Sequence, residues 1–277
     1  MKKGTIALDI DGTITDRYHQ IPDAVVSYFS NLYEEEWQFI FLTGRTLSFA
    51  MMALYKLPFP YLLGVQNGAD LIEMPSRKKV SRFYLKRDIV KRLDTLYEEY
   101  NEDFIVYSGY EKGDFCYFRP ERFSEKMHGY LKKIQERSAS PWKEVTSFDI
   151  RDQIDFPLIE CIGSKEVLER LDQQLSRFKE LKTTLIHGLI FNDLYLILIT
   201  DKHADKGVAM KTFIQEYQLK RPLITGGNDN NDIPLLREGD VRIAIEGSPQ
   251  PLQKMAHIIA PPSDEMGIIS AIKRAIW

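Results

Sequence analysis

Near the start of the chain, Thr5-Ile6-Ala7-Leu8-Asp9-Ile10-Asp11-Gly12-Thr13 forms a short apolar run that ends in two carboxylates, a glycine and a hydroxyl. On an extended backbone, side chains two apart project from the same side, which brings Asp9 and Asp11 together. Carboxylates that close repel, so a cation, a shared proton or strong hydrogen bonds must offset the repulsion. A metal ion would do so and leave one carboxylate to act as a nucleophile. The plainer alternative is a strand-to-loop turn in which Asp11 and Thr13 only cap backbone amides. Three further segments carry chemistry. Thr43-Gly44-Arg45 brings a hydroxyl, a glycine whose amide can approach an anion closely, and a guanidinium. Lys206, at a predicted helix start, places an ammonium near the positive end of a helix dipole, where a phosphoryl group is favoured. The loop Gly226-Gly227-Asn228-Asp229-Asn230-Asn231-Asp232 supplies carboxylate and amide oxygens, the hard ligands that magnesium prefers. Each piece alone has a bland reading as a turn or a solvated helix residue. Their order and placement together favour catalysis.

The elements that must position these groups follow from periodicity. Ile21-Pro22-Asp23 opens a helix with proline in its first turn, and Val25, Val26, Phe29, Leu32 and Tyr33 give it a core-facing stripe. Phe39-Ile40-Phe41-Leu42 reads as a buried strand, followed by a helix through Phe49, Met52, Ala53 and Tyr55. A strand over 61–65 then ends in Gln66-Asn67-Gly68. Strand, crossover helix and strand in this repetition predict a parallel, doubly wound α/β sheet of the Rossmann type. The texture changes near Pro75-Ser76-Arg77-Lys78-Lys79. Helices over 86–100, 124–137 and 165–181, a hairpin over 104–118, a strand over 157–162 and two strands around Asn192-Asp193 predict an inserted α+β domain. The parallel texture resumes with a helix from about Asp205, strands over 223–225, 241–245 and 257–259, and a closing helix through Met266, Ile269 and Ile272. The predicted division is therefore 1–78 with 200–277 as the core and 79–199 as the insertion.

Composition narrows the function classes. At 277 residues, 44% hydrophobic and 28% charged, the chain can bury one large or two modest cores. A net charge of −3 and the absence of a basic stripe with interleaved aromatics argue against nucleic acid. No run approaches the apolar length of a membrane span, and Asp9 and Asp11 interrupt the opening run too early for a signal peptide. Cys116 and Cys161 have no metal-ligand spacing and read as reduced thiols, which fits a cytoplasmic protein. The histidines show no ligand spacing either and receive no role.

Together these segments resemble the haloacid dehalogenase-like phosphohydrolases, specifically the Cof-like, type IIB branch with a large cap inserted after the third core strand. Asp9-Ile10-Asp11-Gly12-Thr13 matches that family's first motif in full. Thr43-Gly44-Arg45 resembles the second, Lys206-Gly207 the third, and Gln66-Asn67-Gly68-Ala69 the segment leading into the cap. The resemblance implies that Asp9 attacks a phosphomonoester and forms a phosphoaspartate, while Asp11 serves as general acid and base. Thr43, Gly44 and Asn231 would bind the phosphoryl group together with Lys206, and Arg45 would either reach the phosphate or form an ion pair within the protein. Magnesium would be held by Asp9, Asp11 through its backbone carbonyl, and the 226–232 loop. One departure stands out: the family's fourth motif carries an aspartate where this chain has Asn228. Either the Asn228 amide oxygen ligates the metal without charge, or the loop shifts so that Asp229 does, with Asp232 bracing it. Tyr107, Tyr110, Tyr117, Arg119 and Arg122 of the insertion are candidate selectors of the leaving group, with core packing or plain surface exposure the alternative for most of them.

The resulting expectation is a magnesium-dependent phosphatase of a small phosphorylated metabolite such as a sugar phosphate, as a monomer or small homo-oligomer. The alternatives are a phosphosugar mutase of the phosphomannomutase type and a non-catalytic protein that binds phosphorylated ligands.

Overall fold

The computed structural model describes residues 2–137, 140–150, 155–187 and 193–276. By contact density they divide into two compact units: one of the residues through Arg45, Ala50–Arg82 and Asp205 onward, the other of Thr46–Phe49 and Phe83–Ala204.

The first unit is built on a mainly parallel sheet. Its strands are β1 (Gly4–Asp9), β2 (Trp37–Leu42), β3 (Tyr61–Val65), β4 (Asp70–Met74), β5 (Lys78–Arg82), β6 (Leu223–Gly227), β7 (Val241–Ile245) and β8 (Ile258–Ala260). They lie in the order β8-β7-β6-β1-β2-β3-β4-β5, antiparallel only at β3–β4 and β4–β5. β1 is central, with Leu8 beside Gly226 on one side and Asp9 beside Leu42 on the other. Every residue of β1 is buried, which is why it reads as an unbroken apolar run rather than an alternation. Helices α1 (Asp23–Glu34), α2 (Leu47–Leu54), α3 (Lys206–Tyr217) and α4 (Gly267–Ala275) belong to the same unit or its edge. α1 buries Val25, Phe29 and Leu32, and Phe29 packs on Phe39 of β2 at a ring separation of 5.0 Å.

Three sequence expectations are corrected here. β4 and β5 extend the core sheet to Arg82, so Pro75-Ser76-Arg77 is the turn of an edge hairpin rather than the start of a new texture. α4 buries Ile272 as expected but adds Ile268 and Ala271 in place of Met266 and Ile269, and Met266, left-handed at φ 57°, stands at the N-cap outside the helix. The helix expected over 165–181 ends at Leu175, and Leu181 already begins a strand.

The second unit is an α+β layer. Its larger sheet runs Leu181–His187, Tyr195–Asp201, Ile159–Gly163, Phe104–Tyr107, Cys116–Phe118 and Trp142–Glu144, antiparallel except at the last pair. Alternation along these strands feeds two cores. Phe104, Val106, Ile159 and Cys161 pack with the helices Arg87–Tyr97 and Lys165–Leu175 through Ile89, Leu93, Leu168 and Leu171. Ile105, Cys116, Phe118 and Ile162 pack with Met127, Tyr130 and Leu131 of the helix Glu125–Arg137. Arg119 is not open to a substrate: it is 5% exposed, and its guanidinium grips Asp103 at 2.6 and 2.7 Å while lying over Phe148. Tyr117 packs in the first of these cores, and the Tyr107 hydroxyl donates to Glu160 at 3.0 Å. Among the described residues, no helix is long and apolar enough to cross a membrane.

Glu160 gives this unit a pH dependence. Burial pushes its carboxyl up to about 7, against the opposing hydrogen bond from Tyr107. A carboxyl whose folded pKa lies above its unfolded value stabilises the fold fully below the unfolded pKa, 4.5 here, and loses that contribution as the pH rises through about 7. The melting temperature is therefore expected to fall between about pH 5 and about pH 8 more steeply for the native protein than for Glu160→Gln, by a difference worth at most about 3 kcal/mol. Parallel curves for the two proteins would contradict this.

Candidate active site

Ligands of open α/β sheets bind beyond the carboxyl ends of the strands, where the strand order reverses. Here that edge is formed by the ends of β1, β2 and β6, and it gathers Asp9, Thr43 and the loop after Gly227. Asp205 caps α3 by accepting from the Val208 amide at 2.9 Å, so the next residue, Lys206, enters at the helix's first position.

The centre of the site is an ammonium between two carboxylates. Lys206 Nζ donates to Asp9 Oδ1 and to Asp232 Oδ1, each at 2.6 Å. Lys206 is 1% exposed, Asp232 0% and Asp9 4%. Burial alone would drive the lysine toward neutrality, but Asp232 and Asp9 outweigh it and raise its pKa, so it stays charged. For Asp9 the balance tips the other way: burial first and the Asp232 charge second push its carboxyl up to about 7, although Lys206 pulls it down. The second oxygen of Asp9 accepts from the Thr13 hydroxyl at 3.0 Å.

Asp11 is paired separately. β1 ends at Asp9, and the chain then turns through Gly12 at φ 67°, so strand alternation does not govern where Asp11 points. Arg45 Nε donates to Asp11 Oδ2 at 2.7 Å, and its Nη2 bonds Oδ1. His19 Nδ1 meets the same Oδ1 at 3.1 Å. Burial would raise the Asp11 pKa, but the hydrogen bonds from His19 and Arg45 and the guanidinium charge hold it at about 2. The repulsion anticipated between Asp9 and Asp11 is thus answered by a private cation for each. Arg45, which the sequence left between a phosphoryl contact and an internal ion pair, has its guanidinium on Asp11.

Thr43 is 1% exposed, and its hydroxyl oxygen accepts from the Arg45 amide at 3.0 Å, which leaves its own proton to donate. Gly44 lies beside Asn67, and the Asn231 amide donates to Asn67 Oδ1 at 3.2 Å. In the fourth-motif loop, Asn228 and Asp229 go different ways. Asn228 Oδ1 accepts from the Thr13 hydroxyl at 3.4 Å, the same hydroxyl that bonds Asp9, so its oxygen converges on the nucleophile's side. Asp229 is exposed and caps the short turn that follows, accepting from the Asn230 amide at 2.7 Å. Asp232 holds the loop from behind: its second oxygen accepts from the amides of Asn228 and Asp229 at 2.8 and 3.0 Å. Among the described residues, no three His, Cys, Asp or Glu side chains converge in a metal-binding group. The donors that do converge are one carboxylate and one amide oxygen, a hard oxygen set that suits magnesium with water completing the shell.

Sequence reasoning did not find His19 or Asn67. His19 reaches Asp11 because Asp16 folds its loop, accepting from the Tyr18 and Gln20 amides at 2.9 and 3.0 Å, with His19 itself left-handed at φ 59°. The Asn-Gly pair at 67–68 signals a left-handed turn, although not what the amide would touch.

Residues 6–272 match the haloacid dehalogenase-like hydrolase family. No curated protein matches the chain. Among solved structures, a haloacid dehalogenase-like hydrolase from Bacteroides thetaiotaomicron is similar over 99% of this chain and 100% of its own, with TM-score 0.82 and 18% identity. One from B. subtilis is similar over 98% and 99%, with TM-score 0.81 and 18% identity. A sugar phosphatase of HAD subclass IIB is similar over 99% and 100%, with TM-score 0.77 and 16% identity.

The ammonium-centred geometry makes a stability prediction. Lys206→Met leaves Asp9 and Asp232 buried without their cation and is expected to cost about 3–5 kcal/mol in chemical denaturation. A loss below about 1 kcal/mol, the range of an exposed ion pair, would contradict the central role of this ammonium.

Proposed function

This chain belongs to the haloacid dehalogenase-like hydrolases, and from that premise we propose that it is a magnesium-dependent phosphatase of small phosphorylated metabolites, sugar phosphates among them. The observation that carries the reading is the buried Asp9 carboxylate, held between Lys206 and Thr13 at the carboxyl edge of the sheet, with a separately paired Asp11 two residues on. The sugar phosphatase among the structural relatives supports the substrate class.

In this reading an oxygen of Asp9 attacks phosphorus in line, forming an aspartyl–phosphorus bond as the ester bond to the leaving oxygen breaks. Lys206 and the Thr43 hydroxyl hold phosphoryl oxygens and stabilise the charge that develops on them, with Gly44 and Asn231 closing the cradle. Asp11 delivers a proton to the leaving oxygen and then takes one from the water that cleaves the acyl phosphate. In the free protein Asp11 is held as an ion by Arg45 and His19. An arriving phosphoryl dianion competes for Arg45, so that Asp11 takes up a proton from solvent and carries it to the leaving oxygen while Arg45 binds phosphate in turn.

Asp9, the Asp11 backbone carbonyl and Asn228 are the residues that would hold the cation. We favour Asn228 over Asp229, which is exposed and caps the turn that follows, and Asp232 works through Lys206 and the loop amides. When bound, magnesium supplies positive charge that reduces repulsion between the nucleophile and an anionic ester.

Phosphate release from a panel of phosphorylated metabolites, with and without magnesium, tests the reading. Magnesium-dependent release is expected, and Asp9→Asn should reduce it at least about a thousandfold, since the attacking group itself is lost. Full activity in Asp9→Asn would overturn the assignment, and activity that requires a bisphosphate activator would indicate a mutase instead. Asn228→Asp adds a ligand charge and is expected to tighten magnesium binding about tenfold in calorimetry. Unchanged affinity would move the ligand role to Asp229.

A further inference from the structure

Three consecutive residues after β3 are left-handed: Gln66 at φ 51°, Asn67 at φ 57° and Gly68 at φ 92°. Non-glycine residues in this region are strained, and such strain persists only where the surroundings hold it. This turn is held on several sides. The Gln66 amide donates to the Arg45 carbonyl and the Asn67 amide to the Thr43 carbonyl, both at 2.8 Å. A Cβ on Gly68 would lie 3.0 Å from the Asp205 carbonyl oxygen and 3.1 Å from Ala209 Cβ, so the turn is pressed against the first turn of α3, which carries Lys206. The Asn67 side chain, in a residue 6% exposed, accepts from Asn231 at 3.2 Å and lies 3.5 Å from where a Cβ on Gly44 would stand.

The turn thus touches every segment assigned to the phosphoryl group: Asn67 meets the hydroxyl-glycine turn after β2 and the loop after β6, and Gly68 meets the start of α3. Asparagine tolerates a left-handed φ better than most side chains, so at the middle of the turn it meets the backbone requirement and adds an amide that reaches Asn231. Resting on the phosphatase reading, we infer that Asn67 is a positioning residue of the phosphoryl cradle. Its amide oxygen orients Asn231, and its main chain fixes Thr43 and Gly44, so that donors from three separate elements meet one anion.

Asn67→Gly tests this, because glycine keeps the left-handed turn and removes only the amide. Its melting temperature is expected to equal or exceed that of Asn67→Ala, whose Cβ retains the strain. Its affinity for inorganic phosphate, measured by calorimetry with magnesium present, is expected to fall about tenfold, as does kcat/KM for the ester, through loss of one orienting hydrogen bond. Because Asn67 acts through Asn231, the double variant Asn67→Gly/Asn231→Ala should bind phosphate no more weakly than the poorer single variant. Asn231→Ala removes both the proposed donor to the anion and the partner of Asn67, so it sets the loss that the double variant should match. Native phosphate affinity in Asn67→Gly, or additive losses in the double variant, would overturn the inference while leaving the phosphatase reading intact. A native protein that neither binds phosphate nor releases it from any ester would overturn both.

Discussion

Lys206 lies almost wholly out of water, and an ammonium in that position stays charged only because Asp9 and Asp232 stand 2.6 Å away on either side. The dependence is mutual. Two buried carboxylates cannot both be ionised without a cation between them, and a lone buried lysine would lose its proton. The three groups come from the end of β1, the start of α3 and the loop after β6, so their charge balance ties together the elements whose ends form the site. Asp232 extends the tie, because its second oxygen gathers the amides that shape the Asn228 loop.

Separate pairing of Asp11 follows from the same constraint. With Lys206 committed to Asp9 and Asp232, another cation must answer Asp11, and Arg45 reaches it from the turn after β2 while His19 reaches it from the loop after β1. The two aspartates of one motif therefore sit in opposite environments. Burial pushes Asp9 upward, whereas charged partners hold Asp11 down. Two residues of one type thus differ by environment, and under the proposed reaction Asp11 must give up part of its pairing before it can carry a proton.

Much of this was legible in the sequence. The apolar run before Asp9 had to be a buried strand, and strand–helix alternation predicted a parallel sheet whose carboxyl edge collects the motif residues. What was not legible depends on contacts across long separations. Arg45 lies 34 residues from Asp11, and Asn231 lies 164 from Asn67. No local pattern encodes which of two adjacent loop residues, Asn228 or Asp229, turns inward. Whether Arg119 faces a substrate or the core was not legible for a related reason. Its partner Asp103 is fully buried in another part of the inserted layer, and charge in sequence says nothing about burial until the partner is found. The edge hairpin of β4 and β5 was hidden because its turn residues are also those of a domain boundary.

The account stands on Asp9 as the attacking group, and trapping the covalent intermediate tests that most directly. Acid quench of the magnesium-loaded protein during turnover of a phosphomonoester, followed by mass analysis of its peptides, is expected to place one phosphoryl group on Asp9. A phosphoryl group on another residue, or turnover with no covalent adduct, would contradict it.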